Sequence, residues 1–274
     1  MNYLQRLQSA YPRGEARALY QWVMEVRFGL SQTQLLMGKD TELSADERNE
    51  LEEIIERLVR HEPVQYILGQ TDFCGHTFHV APGVLIPRPE TQELVERILN
   101  DHPTPARMLD IGTGSGCIAI SLALAGHHVT AYDISPDALD IAQGNASQLG
   151  ATVDFLQVDI LQQDPLNAPA QYDCIVSNPP YICQREASEM EENVLAHEPH
   201  LALFVPDEDP LLFYRAITHY AQKALVPGGS LYFECNRAFV RDVTEFLKAN
   251  GFTDVQVVDD QYGNERFAIG IKRH

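Results

Sequence analysis

Residues 107–125 have the sequence RMLDIGTGSGCIAISLALA, and this stretch decides the fold of the chain. Its first five residues, 107–111, include the apolar Met108, Leu109 and Ile111 and predict a buried β-strand. The glycines at 112, 114 and 116 then predict a loop, and the apolar run 117–125 predicts a helix. A buried strand that passes through a glycine loop into a helix is the first unit of an open parallel sheet. We therefore expect an α/β fold.

The chain after this loop continues the alternation of strands and helices. Strands are predicted at 129–133, 153–158, 172–176, 230–234, 255–258 and 267–271, and helices at 91–99, 136–149, 211–225 and 240–249. Such alternation predicts a parallel sheet with helices on both faces. The last two strands are separated by a polar loop that contains Gly263, so we expect them to pair as an antiparallel hairpin.

The first 70 residues carry a different pattern, with apolar residues at helical spacing. Ser44 and Glu47 predict a capping box at the start of one helix, and Trp22 belongs to the predicted core of a helical bundle. Residues 71–87 contain β-prone runs separated by turn residues, which predicts a β-hairpin. We expect three parts: a helical domain at 1–70, a hairpin linker at 71–87 and an α/β domain at 88–274.

Composition places the chain among ordinary globular proteins. Hydrophobic residues make up 45% of its 274 residues, and no apolar run reaches the roughly 18 residues that a membrane span needs. The N-terminus lacks the apolar segment of a signal peptide. The five cysteines are scattered and form no CxxC pair, which favours reduced thiols over disulfides or a zinc site. We expect a cytoplasmic protein with no membrane segment.

The net charge of −19 at pH 7 limits the classes of partner. It argues against direct binding of nucleic acid, because neutralising phosphates needs clustered Lys and Arg. An acidic surface suits a small ligand or a basic protein partner. His197 and His200 suggest a metal pair, but Pro199 interrupts helical spacing and no third ligand is evident. We expect no metal.

The glycine loop and the acids beside it predict a nucleoside-like ligand. Glycines between a strand and its helix let a ligand approach the backbone. Asp133, at the end of the next strand, suits the two hydroxyls of a ribose. Asp110, just before the loop, could accept from a cationic amino group. The loop follows GxGxG rather than the GxGxxG of pyrophosphate-binding loops, so the expected ligand is S-adenosylmethionine, which has a ribose and an ammonium but no phosphate.

Asp159, after the strand predicted at 153–158, leaves two interpretations open. Its carboxylate could accept from the exocyclic amino group of an adenine, or it could cap the turn or helix that follows.

The motif Asn178-Pro179-Pro180-Tyr181 follows the strand predicted at 172–176. The two prolines lack an N–H and end the strand, so the motif lies at the carboxyl edge of the sheet, where ligands bind. One interpretation is a plain turn. The other is an amide clamp, in which the Asn178 side-chain carbonyl and the Pro179 backbone carbonyl accept the two N–H groups of a primary amide. Tyr181 would then cover the flat face of that amide.

A cofactor loop combined with an amide clamp predicts a methyltransferase that acts on nitrogen. An adenine-N6 methyltransferase of DNA or RNA uses a similar Asn-Pro-Pro-Tyr loop, but the acidic charge and the lack of an evident basic recognition segment count against it. A non-catalytic cofactor-binding module needs no amide clamp, and an NAD-linked dehydrogenase leaves the motif unexplained.

Four motifs carry a resemblance to a known family: EPVQYILG at 62–69, VLIPRPET at 84–91, LDIGTGSG at 109–116 and NPPY at 178–181. With them the chain resembles the PrmC/HemK family, the glutamine N5-methyltransferases of peptide chain release factors. The resemblance implies a Rossmann-like, seven-stranded class I methyltransferase domain, a small N-terminal helical domain that recognises the substrate, and a β-hairpin connector. The substrate would be the glutamine of the GGQ motif in bacterial class 1 release factors, whose methylation tunes translation termination.

The resemblance also assigns roles to individual residues. Asn178, Pro179 and Tyr181 would be catalytic and, together with Pro180, would bind the glutamine. The residues that would bind the cofactor are Asp110, Gly112, Thr113, Gly114, Ser115, Gly116, Asp133, Asp159, Ile160 and Asn178. The product would be S-adenosylhomocysteine. We expect release factors as partners, no direct nucleic-acid binding and a monomeric enzyme.

Three positions depart from the family pattern. Ile160 stands where many members have a Trp beside the adenine, so it would give an apolar contact without aromatic stacking. Gln92 stands where many have a second Glu, and residues 234–237, ECNR, stand where many have Glu-Ile-Gly. The turn around Arg88 and Glu90 leaves two interpretations open, an ion pair that bridges the domains or a contact to substrate or cofactor.

Overall fold

The computed structural model describes residues 2–164 and 171–273. The chain forms two compact units, one of Met1–Gln70 with Met190–His197 and one of Thr71–Glu189 with Glu198–His274. The expected division into three domains at residues 70 and 87 stays a prediction.

The first unit is built from short and medium helices. In chain order they are α1 (Tyr3–Leu7), α2 (Arg13–Phe28), α3 (Gln32–Leu36), α4 (Ala45–Val59), α5 (Val64–Leu68) and, from the segment Met190–His197, α9 (Glu192–His197). The predicted capping box is present, since Glu47 N–H donates to Ser44 Oγ and Ser44 N–H donates to Glu47 Oε2. The apolar stripe of α4 is buried, and Trp22 packs, half-buried, at the edge of the same core.

The second unit begins with a two-stranded hairpin of β1 (Gln70–Phe73) and β2 (His76–His79). It is shorter than the predicted hairpin. Val84 and Ile86 lie outside any strand, yet both are buried. Their apolar side chains find burial without a pairing strand, which a β-prone sequence cannot reveal.

The second unit is organised around a seven-stranded sheet, as predicted. Its strands are β3 (Arg107–Ile111), β4 (His128–Asp133), β5 (Val153–Gln157), β6 (Tyr172–Ser177), β9 (Leu225–Glu234), β10 (Phe252–Asp259) and β11 (Glu265–Lys272). Their spatial order is β10-β11-β9-β6-β3-β4-β5. Five neighbouring strands are parallel to one another, namely β9, β6, β3, β4 and β5. Strand β11 pairs antiparallel with both β9 and β10. The predicted terminal hairpin and the α/β fold class are confirmed.

Both faces of the sheet are covered. Its helices are α6 (Pro89–Asp101), α7 (Cys117–Leu124), α8 (Pro136–Leu149), α11 (Leu212–Ala224) and α12 (Val240–Ala249). Alternate residues of β3 enter different cores: Met108 packs in the core that holds apolar residues of α6, α7 and α8, and Leu109 in the core that holds those of α11 and α12. Burial on both faces is why β6 and β9 contain apolar runs, Cys174-Ile175-Val176 and Leu231-Tyr232-Phe233.

Two regions differ from the predicted pattern. Strand β9 begins at Leu225 rather than at Ser230, because the Pro227-Gly228-Gly229 segment is an irregularity within the strand and not a turn before it. Between NPPY and α11 the sequence analysis predicted no elements. The structure has β7 (Ile182–Cys183), a 3₁₀ helix (Gln184–Glu189), α9 (Glu192–His197), α10 (His200–Leu203) and β8 (Phe204–Val205) there, and β7 pairs parallel with β8.

Candidate active site

The register of the parallel strands brings the predicted site segments to one edge. Ile111 at the end of β3 is opposite Tyr132 in β4 and Ser177 in β6, and Ser177 is opposite Phe233 in β9. The residues that follow these positions therefore leave the sheet side by side, at the carboxyl edge where open α/β sheets bind ligands. The glycine loop and the NPPY motif therefore follow paired strands, and NPPY lies at the carboxyl edge, as predicted.

The glycine loop is held in a shape that other residues rarely adopt. Gly112, Gly114 and Gly116 have φ angles of 78°, 54° and 82°, in the left-handed region that favours glycine. A Cβ on Gly116 would lie 2.9 Å from Ile120 Cδ1 and 3.0 Å from Ala142 Cβ, so Gly116 permits close packing of the loop. A Cβ on Gly112 or Gly114 would meet nothing within 4 Å. That open space is what a ligand against the loop requires.

Most backbone N–H groups of the loop already have partners within the protein. Gly112 and Thr113 both donate to the carbonyl of Tyr132, at 2.8 and 3.0 Å, and Gly116 donates to the carbonyl of Thr113 at 2.9 Å. Gly114 donates to Asp133 Oδ2 at 2.8 Å. A loop that binds phosphate instead directs such groups at the ligand. The arrangement fits a ligand without phosphate.

Asp110 is a fully buried carboxyl group at the end of β3. Its Oδ2 accepts a hydrogen bond of 2.6 Å from Thr113 Oγ1, while Oδ1 has no hydrogen-bond partner among the described residues. Burial raises the pKa of Asp110 to about 7, although the Thr113 hydrogen bond opposes this shift. A buried carboxylate oxygen without a donor is costly. A cationic amino group, such as that of S-adenosylmethionine, would satisfy it.

Asp133 ends β4 and holds the glycine loop in place. Its Oδ2 accepts from Gly114 N–H, and its Oδ1 accepts from Ser135 N–H at 2.9 Å. Burial raises the pKa of Asp133, against the lowering effect of these backbone donors. An ionised carboxylate accepts about four hydrogen bonds, so both oxygens keep capacity for the hydroxyls of a ribose.

Asp159 caps the short 3₁₀ helix Ile160–Gln162, which is one of its two predicted interpretations. Its Oδ1 accepts from Leu161 N–H at 2.9 Å and its Oδ2 accepts from Gln162 Nε2 at 2.7 Å. Ile160 is half-buried against the core that includes α11. The contacts of Asp159 and Ile160 with an adenine stay predictions.

The NPPY motif is held in place by hydrogen bonds that converge on a buried carboxylate. Asn178 Nδ2 donates to Thr91 Oγ1 at 3.1 Å, and Thr91 Oγ1 donates to Glu234 Oε2 at 2.7 Å. Tyr181 Oη donates to the other oxygen, Glu234 Oε1, at 3.3 Å. Glu234, at the end of β9, is only 1% exposed. One carboxylate is thus linked to both ends of the motif, directly to Tyr181 and through Thr91 to Asn178.

Sequence reasoning did not select Thr91 and Glu234 as site residues. Both lie in motifs that were noted for other reasons, the Pro-Glu-Thr run and the strand after Gly228-Gly229. The available signal was position, since Glu234 ends the strand next to β6 and Thr91 begins a helix.

Burial raises the pKa of both titratable groups in this network, the carboxyl of Glu234 and the phenol of Tyr181. Burial raises the pKa of Glu234 and outweighs Arg266, Thr91 and Tyr181, which favour its ionised form. Burial and the neighbouring charge of Glu234 raise the pKa of Tyr181. Tyr181 therefore keeps its proton at neutral pH and can donate to the carboxylate.

Two carbonyl oxygens of the motif are left as acceptors. Within the part of the chain that the structure describes, neither Asn178 Oδ1 nor the Pro179 carbonyl accepts a hydrogen bond. Pro179 is buried, and Asn178, Pro180 and Tyr181 are half-buried. These are the two acceptors that the amide-clamp interpretation requires.

Asn236, one of the departures from the family pattern, forms a hydrogen bond at the Tyr181 end of the motif. Its Nδ2 donates to the Tyr181 carbonyl at 3.2 Å and to Glu186 Oε2 at 3.2 Å, and Glu186 Oε2 also accepts from Cys183 N–H at 2.7 Å. The side chain thus connects the end of β9 to β7.

Arg88 makes an ion pair with Glu198, a residue whose side chain is almost fully buried. Glu198 Oε2 also accepts from Ile86 N–H at 3.2 Å. Arg88 therefore forms an ion pair, but its partner lies in the same compact unit, so this pair is not the predicted bridge between domains. Contacts of Arg88 and Glu90 with a ligand stay predictions.

Asn145 in α8 is a third residue that was not predicted from the sequence. Its Nδ2 donates to the carbonyls of Ser115 and His79, at 2.9 and 3.0 Å, and its Oδ1 accepts from His79 N–H at 2.7 Å. It therefore joins the glycine loop to β2. A buried Asn on the apolar face of a helix is the signal that could have identified it.

No group of three or more His, Cys, Asp or Glu side chains within the described residues is arranged to hold a metal ion. None of the helices among those residues is long and apolar enough to span a membrane.

Two family descriptions match the chain. The PrmC N-terminal domain matches residues 2–69, and the methyltransferase small domain matches residues 89–201.

Curated relatives match over nearly the whole length of the chain. A release factor glutamine methyltransferase of Bacteroides thetaiotaomicron is 50% identical over 264 residues, 96% of this chain and 95% of that protein. One of Flavobacterium psychrophilum is 41% identical over 271 residues, 96% of this chain and 94% of that protein.

Solved structures of other methyltransferases share the fold. A 16S rRNA N2 G1207 methyltransferase of Thermus thermophilus, solved with AdoMet and guanosine, superposes with a TM-score of 0.54 at 20% identity, over 74% of this chain and 50% of that one. A methyltransferase of Pyrococcus furiosus gives a TM-score of 0.53 at 17% identity, over 80% and 98% of the two chains.

Proposed function

The chain belongs to the release factor glutamine methyltransferase family, and from this premise we propose that it methylates a glutamine side chain of peptide chain release factors. The methyl donor is S-adenosylmethionine, and the acceptor is the amide nitrogen, N5, of the glutamine in the GGQ motif of bacterial class 1 release factors. The observation that carries this proposal is the pair of unpartnered carbonyl oxygens of Asn178 and Pro179 beside the glycine loop.

The residues around the glycine loop would hold the cofactor. Gly112 and Gly114 leave open space against the backbone, Asp110 offers an oxygen without a donor, and Asp133 keeps acceptor capacity for a ribose. When bound, S-adenosylmethionine supplies a methyl group on a positively charged sulfur, which needs no further activation.

The NPPY motif would make the amide nitrogen reactive by holding it. An amide nitrogen is a weak nucleophile because its lone pair is delocalised. Asn178 Oδ1 and the Pro179 carbonyl accept its two N–H groups, fix its plane and stabilise the positive charge that develops on nitrogen during transfer. Tyr181 offers an aromatic face to the amide. The proton then leaves to water, because the Glu234 carboxylate, which could act as a base, already accepts hydrogen bonds from Thr91 and Tyr181.

Several finer expectations belong to the same proposal. We infer that the enzyme works as a monomer in the cytoplasm, that it does not bind nucleic acid directly, and that the N-terminal helices help to recognise the release factor. The net charge of −19 supports a protein partner over nucleic acid.

The decisive test is transfer of label from S-adenosylmethionine to a purified bacterial release factor. The assay runs beside a release factor whose GGQ glutamine is replaced by alanine, and beside a DNA duplex. We expect label on the intact factor and none on the other two substrates. Label on DNA alone would overturn the proposal in favour of an adenine methyltransferase, and no transfer to any substrate would favour a binding module.

A further inference from the structure

Two buried residues behind the NPPY motif have no assigned role in the proposed reaction. Thr91 lies in the first turn of α6 and is buried, and Glu234 lies at the end of β9 and is almost fully buried. We propose that Thr91 and Glu234 are positioning residues, which fix the side-chain amide of Asn178 so that its oxygen, and not its nitrogen, faces the substrate. This inference rests on the proposed function and extends it.

The number of protons on each group decides which atoms donate and which accept. The Glu234 carboxyl group accepts a hydrogen bond on each oxygen, Oε2 from Thr91 and Oε1 from Tyr181, and a threonine hydroxyl has a single proton. That proton goes to Glu234 Oε2 at 2.7 Å. Thr91 Oγ1 therefore has only lone pairs left for its second neighbour, the Asn178 side chain at 3.1 Å.

The lone pairs of Thr91 decide the orientation of the Asn178 amide. Nδ2 is the end of the amide that can donate to Thr91, so Oδ1 is on the opposite side of the group. A reversed amide would bring Oδ1 against an oxygen that has no proton to share. It would also present Nδ2, a donor, to the N–H groups of a substrate amide. The reversed form is thus disfavoured within the protein and cannot hold the substrate.

Glu234 is itself fixed on several sides. Its second oxygen accepts from Tyr181 Oη at 3.3 Å, and its backbone carbonyl accepts from Tyr214 Oη at 3.2 Å. The carboxylate therefore contacts Tyr181 directly and Asn178 through Thr91. This arrangement sets the separation between the acceptor oxygen and the aromatic ring, the two parts of the motif that must contact one substrate group.

A pair of substitutions at Thr91 tests the proposal. Thr91→Val keeps the shape of the side chain but removes the hydroxyl, so Asn178 loses its acceptor and is free to rotate. We expect kcat for release-factor methylation to fall by about 100-fold, as for a misplaced reacting group. The Kd of S-adenosylhomocysteine and the KM for the release factor should change less than about threefold, because this substitution lies outside the cofactor loop. Thr91→Ser restores a hydroxyl and should recover most of the rate.

A double-mutant cycle separates positioning from a general structural effect. If Thr91 acts through Asn178, then Thr91→Val should have almost no further effect on the residual rate of Asn178→Ala. Equal losses in both backgrounds would overturn the proposal, as would a Thr91→Val enzyme with the wild-type kcat, or a Thr91→Ser enzyme as slow as Thr91→Val.

A measurement on the wild-type protein covers the case in which Thr91→Val does not fold. The side-chain amide protons of Asn178, identified in a ¹⁵N spectrum by their loss in Asn178→Ala, should exchange slowly with solvent because Nδ2 is hydrogen-bonded. Exchange at the rate of a free amide would overturn the inference. This readout does not need methyl transfer, so a wild-type protein that methylates no release factor but protects these protons would contradict the proposed function alone.

Discussion

At the scale of single residues, the site depends on which atoms are left without a partner. The Asn178 side chain uses its nitrogen inside the protein and keeps its oxygen free among the described residues, and Asp110 keeps one buried carboxylate oxygen free. Each free atom is an acceptor. The first suits the N–H groups of an amide and the second suits a cation, so the two groups match the two reactants of the proposed transfer.

We predict that Asn178→Ala removes most activity while sparing the cofactor. The variant loses one of the two acceptors for the developing charge, and removal of one such group costs about 10²- to 10³-fold in kcat. The Kd of S-adenosylhomocysteine, measured by calorimetry, should stay within about twofold of wild type. Asn100→Ala, the same change at an exposed residue near the end of α6, is the matched control. A normal rate in the Asn178 variant would contradict the amide clamp.

We predict that cofactor affinity falls as the pH drops below the pKa of Asp110, about 7. Below this pH the carboxyl carries a proton, which must leave before the carboxylate can pair with an ammonium group. The Kd of S-adenosylhomocysteine should therefore rise by up to about tenfold per pH unit between pH 7 and pH 6. Asp110→Asn should bind more weakly and without this slope, whereas the exposed Asp137→Asn should keep it. A wild-type Kd that does not change between pH 6 and pH 8 would contradict the role of Asp110.

At the scale of elements, different glycines of the loop permit close packing and leave space for a ligand. Gly116 permits close contact with α7 and α8, whereas Gly114 faces open space. All the loop donors named above are used to hold the loop to β4 and to itself. The element is therefore a rigid surface for a ligand rather than an anion-binding nest.

We predict that alanine mainly lowers stability at one glycine of this loop and mainly weakens cofactor binding at another. Gly116→Ala should lower the free energy of unfolding by several kcal/mol, since it adds a clash with Ala142 to the strain of a positive φ. Gly114→Ala should cost only about 1–2 kcal/mol but should weaken cofactor binding at least about tenfold, because its Cβ would occupy the ligand space. Gly150→Ala, at a positive φ with nothing nearby, controls for strain. Urea denaturation and calorimetry measure the two effects, and unimpaired binding by Gly114→Ala would contradict the proposed location of the ligand.

At the scale of the whole molecule, the carboxyl edge of the sheet carries acidic groups whose ionisation is made unfavourable by burial. Asp110, Asp133 and Glu234 lie there, and burial raises the pKa of each of them. A carboxyl whose folded-state pKa is raised stabilises the fold below its unfolded pKa and loses that contribution as the pH rises through the folded pKa. The protein without cofactor should therefore lose stability as the pH rises from about 4 toward 7 on account of these groups.

We predict that Asp110→Asn flattens part of this pH dependence. The amide cannot ionise, so the variant should resemble wild type near pH 4.5 and exceed its free energy of unfolding at pH 8 by a few kcal/mol, for a shift of about three pKa units. Urea denaturation at the two pH values measures the difference, with Asp137→Asn as the control. A variant less stable than wild type at pH 8 would contradict the assignment of the penalty to Asp110.

Local patterns in the sequence predicted most of the fold. The apolar runs, the glycine loop and the proline pair each carry their information within a few residues, so the seven strands, the capping box at Ser44 and the position of NPPY at the carboxyl edge of the sheet were predicted. The strands after NPPY were not predicted, because β7 and β8 are two residues long and form a separate two-stranded sheet among the described residues. The early start of β9 was missed because Pro and Gly normally end a strand.

The sequence by itself determined the order of the elements and the chemical types of residue at the carboxyl edge of the sheet, since strand and turn signals are local. Only the tertiary structure decided which side chains support the site. Thr91 and Glu234 are 143 residues apart in the chain, and Arg88 and Glu198 are 110 apart. Their contacts depend on the register of the folded strands and the placement of helices, and no local propensity specifies which distant residue a buried carboxylate will meet.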